Sequence, residues 1–341
     1  MKIAVIGAGS WGTALANLLA KKGLSAVLLA RREEVAQAIG ERHENPFYLP
    51  GISLSSRLKA TTKAEDILPK TEVIVFAVPS HALRETIRQL KPLLKNPVPL
   101  VSTIKGIEEK TLATMSQVLT EELGPSWQAM FTVLSGPSFA EEVAKEFPTA
   151  VTLAGYDREI TTRIQKLFSC SYFRVYRSTD VIGVELAGAL KNIIAIAVGI
   201  SDGLKLGLNA RAALITRGLA EISRLGLRLG ANPLTFSGLA GLGDLVLTCT
   251  GPLSRNRSVG LRLGRGEKLS QILSDMTQVA EGVRTTASVK ELSERLGVEM
   301  PITQAVYRVL YQEEDPLKMA RDLLSRELKE EFGELDLRFS R

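Results

Sequence analysis

GAGSWG at residues 7–12 follows the apolar run KIAVI (2–6) and leads into TALANLLAKKG (13–23). A strand ending at Ile6, a loop with glycines at 7, 9 and 12, and a helix opening near Thr13 form the pattern of the first turn of a dinucleotide-binding βαβ unit. In that pattern Gly7 permits the sharp turn, Gly9 lets the backbone approach a pyrophosphate, and Gly12 lets the helix pack close to the sheet. The phosphates then meet unpaired N–H groups at the positive end of the helix dipole. Tight turns without any ligand also use glycine, so the reading depends on what the rest of the chain does.

The rest of the first half alternates. SAVLLA (25–30), EVIVFAV (72–78), VPLVS (98–102) and FTVLSGPS (131–138) are short strand-like runs, separated by amphipathic segments such as HALRETIRQLKPLL (81–94). Short β-rich runs with helical crossovers predict a mostly parallel sheet covered on both faces. TAVTLAG (149–155) and YFRVYRS (172–178) predict two further strands. From Val181 onward the period changes. IGVELAGALKNIIAIAVGISDGLKLG (182–207), ARAALITRGLAEISRLGLRLG (210–230), SVKELSERLG (288–297) and ITQAVYRVLYQ (302–312) repeat apolar residues every three or four positions, the helical period. The expected architecture is an α/β Rossmann-type domain over residues 1–180 followed by an all-α domain over residues 181–341. Within the second, the glycine-dense stretch 236–260 reads as a long ligand-binding loop, and RELKEEFGELDLRFSR (326–341) as a charged tail.

The 341 residues are 45% hydrophobic and 23% charged, enough apolar mass for a sizeable core. The net charge of +6 favours anionic ligands. Nucleic acid is not expected, because no sustained Lys/Arg block with interleaved aromatics is present. Cys170 and Cys249 are far apart and lack metal-ligand spacing, so they read as buried thiols in a reducing cytoplasm, with neither a disulfide framework nor a metal site. The N-terminus shows no signal-peptide pattern. The stretch 186–200 is too short for a membrane span and contains Lys191, so it reads as a core helix carrying a charge.

Dinucleotide choice depends on the end of the second strand, where a carboxylate would accept hydrogen bonds from a ribose 2′-hydroxyl. The sequence there is LLARRE (28–33). Arg31 and Arg32 can pair with a 2′-phosphate, so NADP(H) is favoured and NAD(H) is the second choice. An ordinary basic turn is the alternative. Lys191 poses a second question, since a lone ammonium in an apolar helix is costly. Either it snorkels to the surface or it is retained for proton exchange with a reacting hydroxyl or carbonyl, for which burial, by lowering a lysine's pKa, would suit it.

Several blocks together resemble the bacterial NAD(P)-dependent glycerol-3-phosphate dehydrogenases. They are GAGSWGTALA (7–16), NPFYLPG (45–51), AVPSHALR (77–84), STIKGIE (102–108), LSGPSFAEEV (134–143), VELAGALKNIIAIAVGISDGL (184–204), GLAGLGDLVLTCTGPLSRNRSVG (238–260) and VAEGVRT (279–285). The resemblance implies that Ser10, Trp11, Arg31, Arg32, Tyr48, Ala140, Val279 and Glu281 contact the dinucleotide, with Lys105 touching both cofactor and substrate. It implies substrate contacts at Gly136, Ser138, Ser254, Arg255 and Asn256, with Arg255 reaching the phosphate and also the cofactor. Lys191 falls on the family's proton acceptor and Asp244 on its polar partner, with Asn192 and Thr248 nearby. The implied substrate pair is dihydroxyacetone phosphate and glycerol 3-phosphate, the implied pathway glycerophospholipid synthesis, and the expected assembly a cytoplasmic homodimer.

Without the family, Arg255 beside Arg257, Arg262 and Arg265 reads as a solvated face. Ser138 with Glu141 reads as a capping box, and His81 after Pro79 as a helix opening, while His43 is unassigned. The β-hydroxyacid and 6-phosphogluconate dehydrogenases are a rival, but they resemble one another in an Asn four residues after the lysine, and position 195 is Ala. A non-enzymatic dinucleotide sensor is the rival from another class.

Overall fold

The computed structural model describes residues 1–276 and 279–331. The chain divides into two compact units, Met1–Glu185 and the part from Leu186 onward. Strand signals end at Ser178, which is why the sequence puts a boundary at 180/181; the division by compactness falls a turn inside the helix that follows.

The first unit contains β1 (Lys2–Ile6), α1 (Ser10–Lys21), β2 (Ser25–Leu29), α2 (Glu33–Glu41), β3 (Lys59–Thr61), β4 (Val73–Phe76), α3 (Leu83–Leu90) and β5 (Leu100–Ser102). It continues through α4 (Met115–Leu123), β6 (Phe131–Ser135), α5 (Ala140–Ala144), β7 (Thr149–Gly155), α6 (Arg158–Phe168) and β8 (Phe173–Ser178). One sheet results, in the order β3-β2-β1-β4-β5-β6-β7-β8. Every neighbouring pair is parallel except β6 with β7. The strands are apolar on both faces because helices cover both: Ile3, Val5, Ile6, Val73, Val75 and Phe76 are all essentially inaccessible. All seven strands expected from the sequence form; the eighth, β3, is the three-residue edge segment KAT, too short and too polar to signal itself.

Two local features fix the crevice. β1 lies between β2 and β4, so the chain's crossovers run in opposite directions on its two sides, and ligands bind outside the carboxyl ends of strands at such a reversal. The glycine loop leaves β1 at that point. A Cβ on Gly7 would lie 2.7 Å from the Ala77 carbonyl oxygen at the end of β4, and one on Gly12 would lie 2.0 Å from the Gly7 carbonyl oxygen. Only glycine fits either place.

The second unit has no strand among its described residues. It contains most of α7 (Val181–Gly203), then α8 (Gly207–Arg228), α9 (Pro233–Phe236), α10 (Asp244–Thr250), α11 (Arg255–Gly264), α12 (Leu269–Ser274), α13 (Glu281–Leu296), α14 (Pro301–Tyr311) and α15 (Pro316–Leu324). α7 is mostly apolar, with Glu185, Lys191, Asn192 and Asp202 among the exceptions. At 23 residues it is longer than the stretch 186–200 and, by length and composition, long enough to cross a membrane, but 94% of its most apolar window is buried inside the protein, as in a core helix. α11 crosses it at backbone contact. A Cβ on Gly199 would meet the Arg257 carbonyl oxygen at 2.2 Å, and one on Gly260 would meet the Ile196 carbonyl oxygen at 2.1 Å. Gly203 and Gly264 repeat the arrangement one turn along.

The stretch 236–260 is not the long loop expected. A π-helical turn over Leu239–Gly243 runs directly into α10, and α11 follows after four residues. Its glycines serve packing: a Cβ on Gly241 would lie 2.1 Å from the Phe236 carbonyl oxygen. Of the expected tail, residues 332–341 lie outside the described residues, while Arg326 and Lys329 pair with Glu299. Cys249 is buried as expected, but Cys170 is only half-buried. Burial pushes the Cys249 thiol up to about 12, which keeps it protonated.

Candidate active site

Gly9 has φ −73°, a conformation open to any residue, and a Cβ there would meet nothing within 4 Å. Neither backbone strain nor internal packing therefore requires glycine at this position. Close approach of a ligand to the backbone would require it. The N-cap of α1 is Gly9, which has no side chain to cap the helix, and a helix N-terminus favours negative charge. A pyrophosphate fits this cradle.

The end of β2 is equally specific. The Arg32 guanidinium stands 4.8 Å from the Phe47 ring centroid and 5.4 Å from that of Tyr48, donates to the Tyr48 hydroxyl at 3.2 Å, and lies 3.3 Å from Glu34. Arg31 is exposed. Ser10 donates its hydroxyl to the Tyr48 carbonyl oxygen at 2.5 Å, so the loop with Tyr48 leans on the glycine loop. Lys105 stands three residues beyond β5 and Gly136 directly beyond β6, at the same carboxyl edge. A Cβ on Gly136 would meet Val151 Cα at 2.9 Å. Ser138 turns its hydroxyl back onto the Gly136 carbonyl oxygen at 2.9 Å, and α5 opens from Phe139 without a side-chain cap, so the Ser138–Glu141 capping box does not form. Ala140 begins α5 and packs on the core. His81 does open a helical turn, Ser80–Ala82, after Pro79.

In the second unit Lys191 does not snorkel. Its side chain is 7% exposed, and Nζ donates to Asp244 Oδ1 at 2.5 Å and to Thr248 Oγ1 at 2.7 Å. Asp244 is 1% exposed, and the Thr248 hydroxyl also reaches the Asp244 carbonyl oxygen at 2.6 Å. An ammonium and a carboxylate so enclosed cancel each other's charge; either alone would be costly. Asp244 and Thr248 are one turn apart on α10, and this spacing points both at the same spot on α7.

Around them three segments meet. Ser254 caps α11 by accepting from the Arg257 amide, Asn256 Oδ1 accepts from the Gly282 amide at 2.9 Å, and a Cβ on Gly282 would touch the Asn192 carbonyl oxygen at 2.8 Å. Arg255 is accessible, donates to the Val279 carbonyl oxygen at 2.9 Å, and has Glu281 near it. Desolvation by surrounding atoms pulls its pKa below the usual guanidinium range, with Glu281 opposing. The run Arg255, Arg257, Arg262 and Arg265 is not simply a solvated face, since Arg257, together with Arg211, grips Asp202 in paired contacts of 2.7 to 3.0 Å. The sequence reading missed Asp202. Its signal was the same as that of Lys191, a charge within an apolar helix.

Residues 2–161 match the model for the NAD-dependent glycerol-3-phosphate dehydrogenase N-terminus and residues 180–321 the model for its C-terminus. A glycerol-3-phosphate dehydrogenase [NAD(P)+] of Geobacter metallireducens is 54% identical over 97% of this chain and 99% of its own length. The crystal structure of the Coxiella burnetii glycerol-3-phosphate dehydrogenase superposes with a TM-score of 0.91 at 42% identity, covering 95% of this chain and 99% of that one. The glycerol-3-phosphate dehydrogenase of Saccharomyces cerevisiae gives 0.81 at 31% identity over 96% of this chain and 99% of that one. The cradle at Gly9 and the enclosed Lys191–Asp244 pair thus stand in a chain that belongs to the glycerol-3-phosphate dehydrogenase family of NAD(P)-dependent oxidoreductases.

Proposed function

We propose that this chain reduces dihydroxyacetone phosphate to glycerol 3-phosphate, with NADPH preferred over NADH, and that Lys191 moves the proton. The nicotinamide, when bound, supplies the hydride. Lys191 Nζ gives its proton to the ketone oxygen as that oxygen gains negative charge, leaving a hydroxyl; in the oxidative direction the neutral amine takes the hydroxyl proton back. Asp244 Oδ1 and Thr248 Oγ1 aim the amine and offset its charge while it is protonated. Asn192 borders them.

By the family resemblance Lys105 and Arg255 take the phosphate, with Gly136, Ser138, Ser254 and Asn256 as further substrate contacts; fixed charge at the phosphate uses binding energy remote from the reacting carbon. Gly7, Gly9 and Gly12, with Ser10 and Trp11, receive the pyrophosphate at α1, while Arg31 and Arg32 with Tyr48 receive the 2′-phosphate. Ala140, Val279 and Glu281 complete the coenzyme contacts. No metal enters the chemistry. Supply of glycerophospholipid synthesis, cytoplasmic residence and homodimer assembly rest on the family resemblance, and sedimentation would measure the last.

The observation that carries the reading is the buried lysine whose charge is matched by one carboxylate and one hydroxyl. The test is loss of nicotinamide absorbance on adding dihydroxyacetone phosphate, run with both coenzymes against a panel of phosphorylated ketones and keto acids. Oxidation confined to a keto acid would refute the substrate, and faster turnover with NADH at subsaturating concentration would refute the coenzyme preference.

A further inference from the structure

Asn45 is completely buried, and its amide works on two sides. Nδ2 donates to the carbonyl oxygen of Ala8, inside the glycine loop, at 3.0 Å and to Oγ1 of Thr13, in the first turn of α1, at 2.9 Å. Oδ1 accepts from the Tyr48 amide at 3.2 Å, and the Asn45 carbonyl oxygen accepts from the Leu49 amide at 2.9 Å, closing the turn that carries Phe47 and Tyr48. Those two rings hold the Arg32 guanidinium. A series of contacts therefore runs from Ala8 of the glycine loop and Thr13 of α1 through Asn45 and Tyr48 to Arg32. A buried amide that lost one side would leave polar groups unpaired, so the two sides stand or fall together.

We propose that Asn45 is a positioning residue that fixes the distance between the pyrophosphate cradle and the arginine at the end of β2, so that the central pyrophosphate and the adenosine end of a dinucleotide are read by one rigid surface. The proposal rests on the reading of this unit as coenzyme-binding. Without the Asn45 amide the Phe47–Tyr48 turn keeps its Ser10 contact but loses its side-chain bonds to Ala8 and Thr13, Arg32 is held less strictly at a set distance from Gly9, and affinity falls although no coenzyme-contacting residue has changed.

Dissociation constants for NADPH and NADH, read by nicotinamide fluorescence in the full chain, test this for the parent, Asn45→Ala, Thr13→Val, Phe47→Ala and the Asn45→Ala/Phe47→Ala pair. Asn45→Ala is expected to weaken both coenzymes about tenfold or more. Thr13→Val, which removes one of the two acceptors, should move them less and in the same direction. Phe47→Ala, at the 42% exposed ring, should weaken NADPH, and its effect should shrink when Asn45 is already gone. Unchanged constants in folded Asn45→Ala, or losses that simply add in the double variant, overturn the proposal. If Asn45→Ala does not fold, unchanged constants in Thr13→Val overturn it instead. A parent that binds neither coenzyme would refute the coenzyme-binding reading itself.

Discussion

Lys191 and Asp244 are each a liability alone and neutral together, so the residue scale is where chemistry can be separated from stability. Lys191→Met removes the proton donor and takes the Lys191 ammonium away from a carboxylate that is 1% exposed. The expected outcome is a kcat lower by about 10²–10⁴ together with a loss of roughly 3–5 kcal/mol of stability. Adding Asp244→Asn removes the stranded charge, so urea denaturation should show much of that stability recovered while turnover stays lost. Recovery of both would mean that the lysine only balances a charge. Arg255 makes a different prediction, because it donates to a backbone carbonyl and feels the charge of Glu281 rather than that of the buried pair. Arg255→Ala should raise KM for the phosphorylated substrate and leave kcat nearly intact; steady-state kinetics over a wide substrate range would show a kcat effect as a failure of that assignment.

At the scale of elements, the α7–α11 crossing is set by glycines whose missing Cβ atoms would strike backbone. Gly260→Ala gains helix propensity of about 1 kcal/mol, yet the new methyl would lie 2.1 Å from the Ile196 carbonyl oxygen, which cannot swing aside. Overpacking of about 1–3 kcal/mol wins, and the variant should melt below the parent. Gly40→Ala is the control: it sits in α2 with nothing within 4 Å, and should melt slightly above the parent. These elements also show what a sequence discloses. β1, the glycine loop and α1 were legible because the motif is local and Gly7 and Gly12 each have a steric reason within the fold. Lys191 was legible because a charge interrupts an apolar period. The stretch 236–260 was misread as a loop because glycine weakens helical propensity, and only a partner surface shows that Gly241 and Gly260 are there for contact. Asn45 gave no periodic signal, and its role exists only in three hydrogen bonds to residues up to 37 positions away.

For the whole molecule, stability against pH is governed by two buried carboxylates outside the proposed chemistry. Glu185 accepts from the Ser116 amide and hydroxyl at the start of α4, and Glu221 accepts from the Ile302 and Thr303 amides at the start of α14. Each caps a helix, but burial outweighs these bonds and raises both to about 7 from an ordinary 4.5. Between those values the folded chain binds more protons than the unfolded one, so stability falls as pH rises from about 4.5 to about 7 and levels off above. The cost is on the order of 3 kcal/mol for each group. Glu108, held low first by its bonds to Arg84, acts with the opposite sign: its contribution is present above about 4.5 and lost as pH falls. Maximum stability should therefore lie near pH 5. Glu221→Gln keeps an acceptor for the Ile302 amide and cannot ionise, so its urea midpoint should fall less steeply than the parent's between pH 5 and pH 7, by about half if Glu185 supplies the rest. Parallel curves for parent and variant would show that Glu221 is already ionised at pH 5, stabilised by the helix N-terminus more than it is penalised by burial.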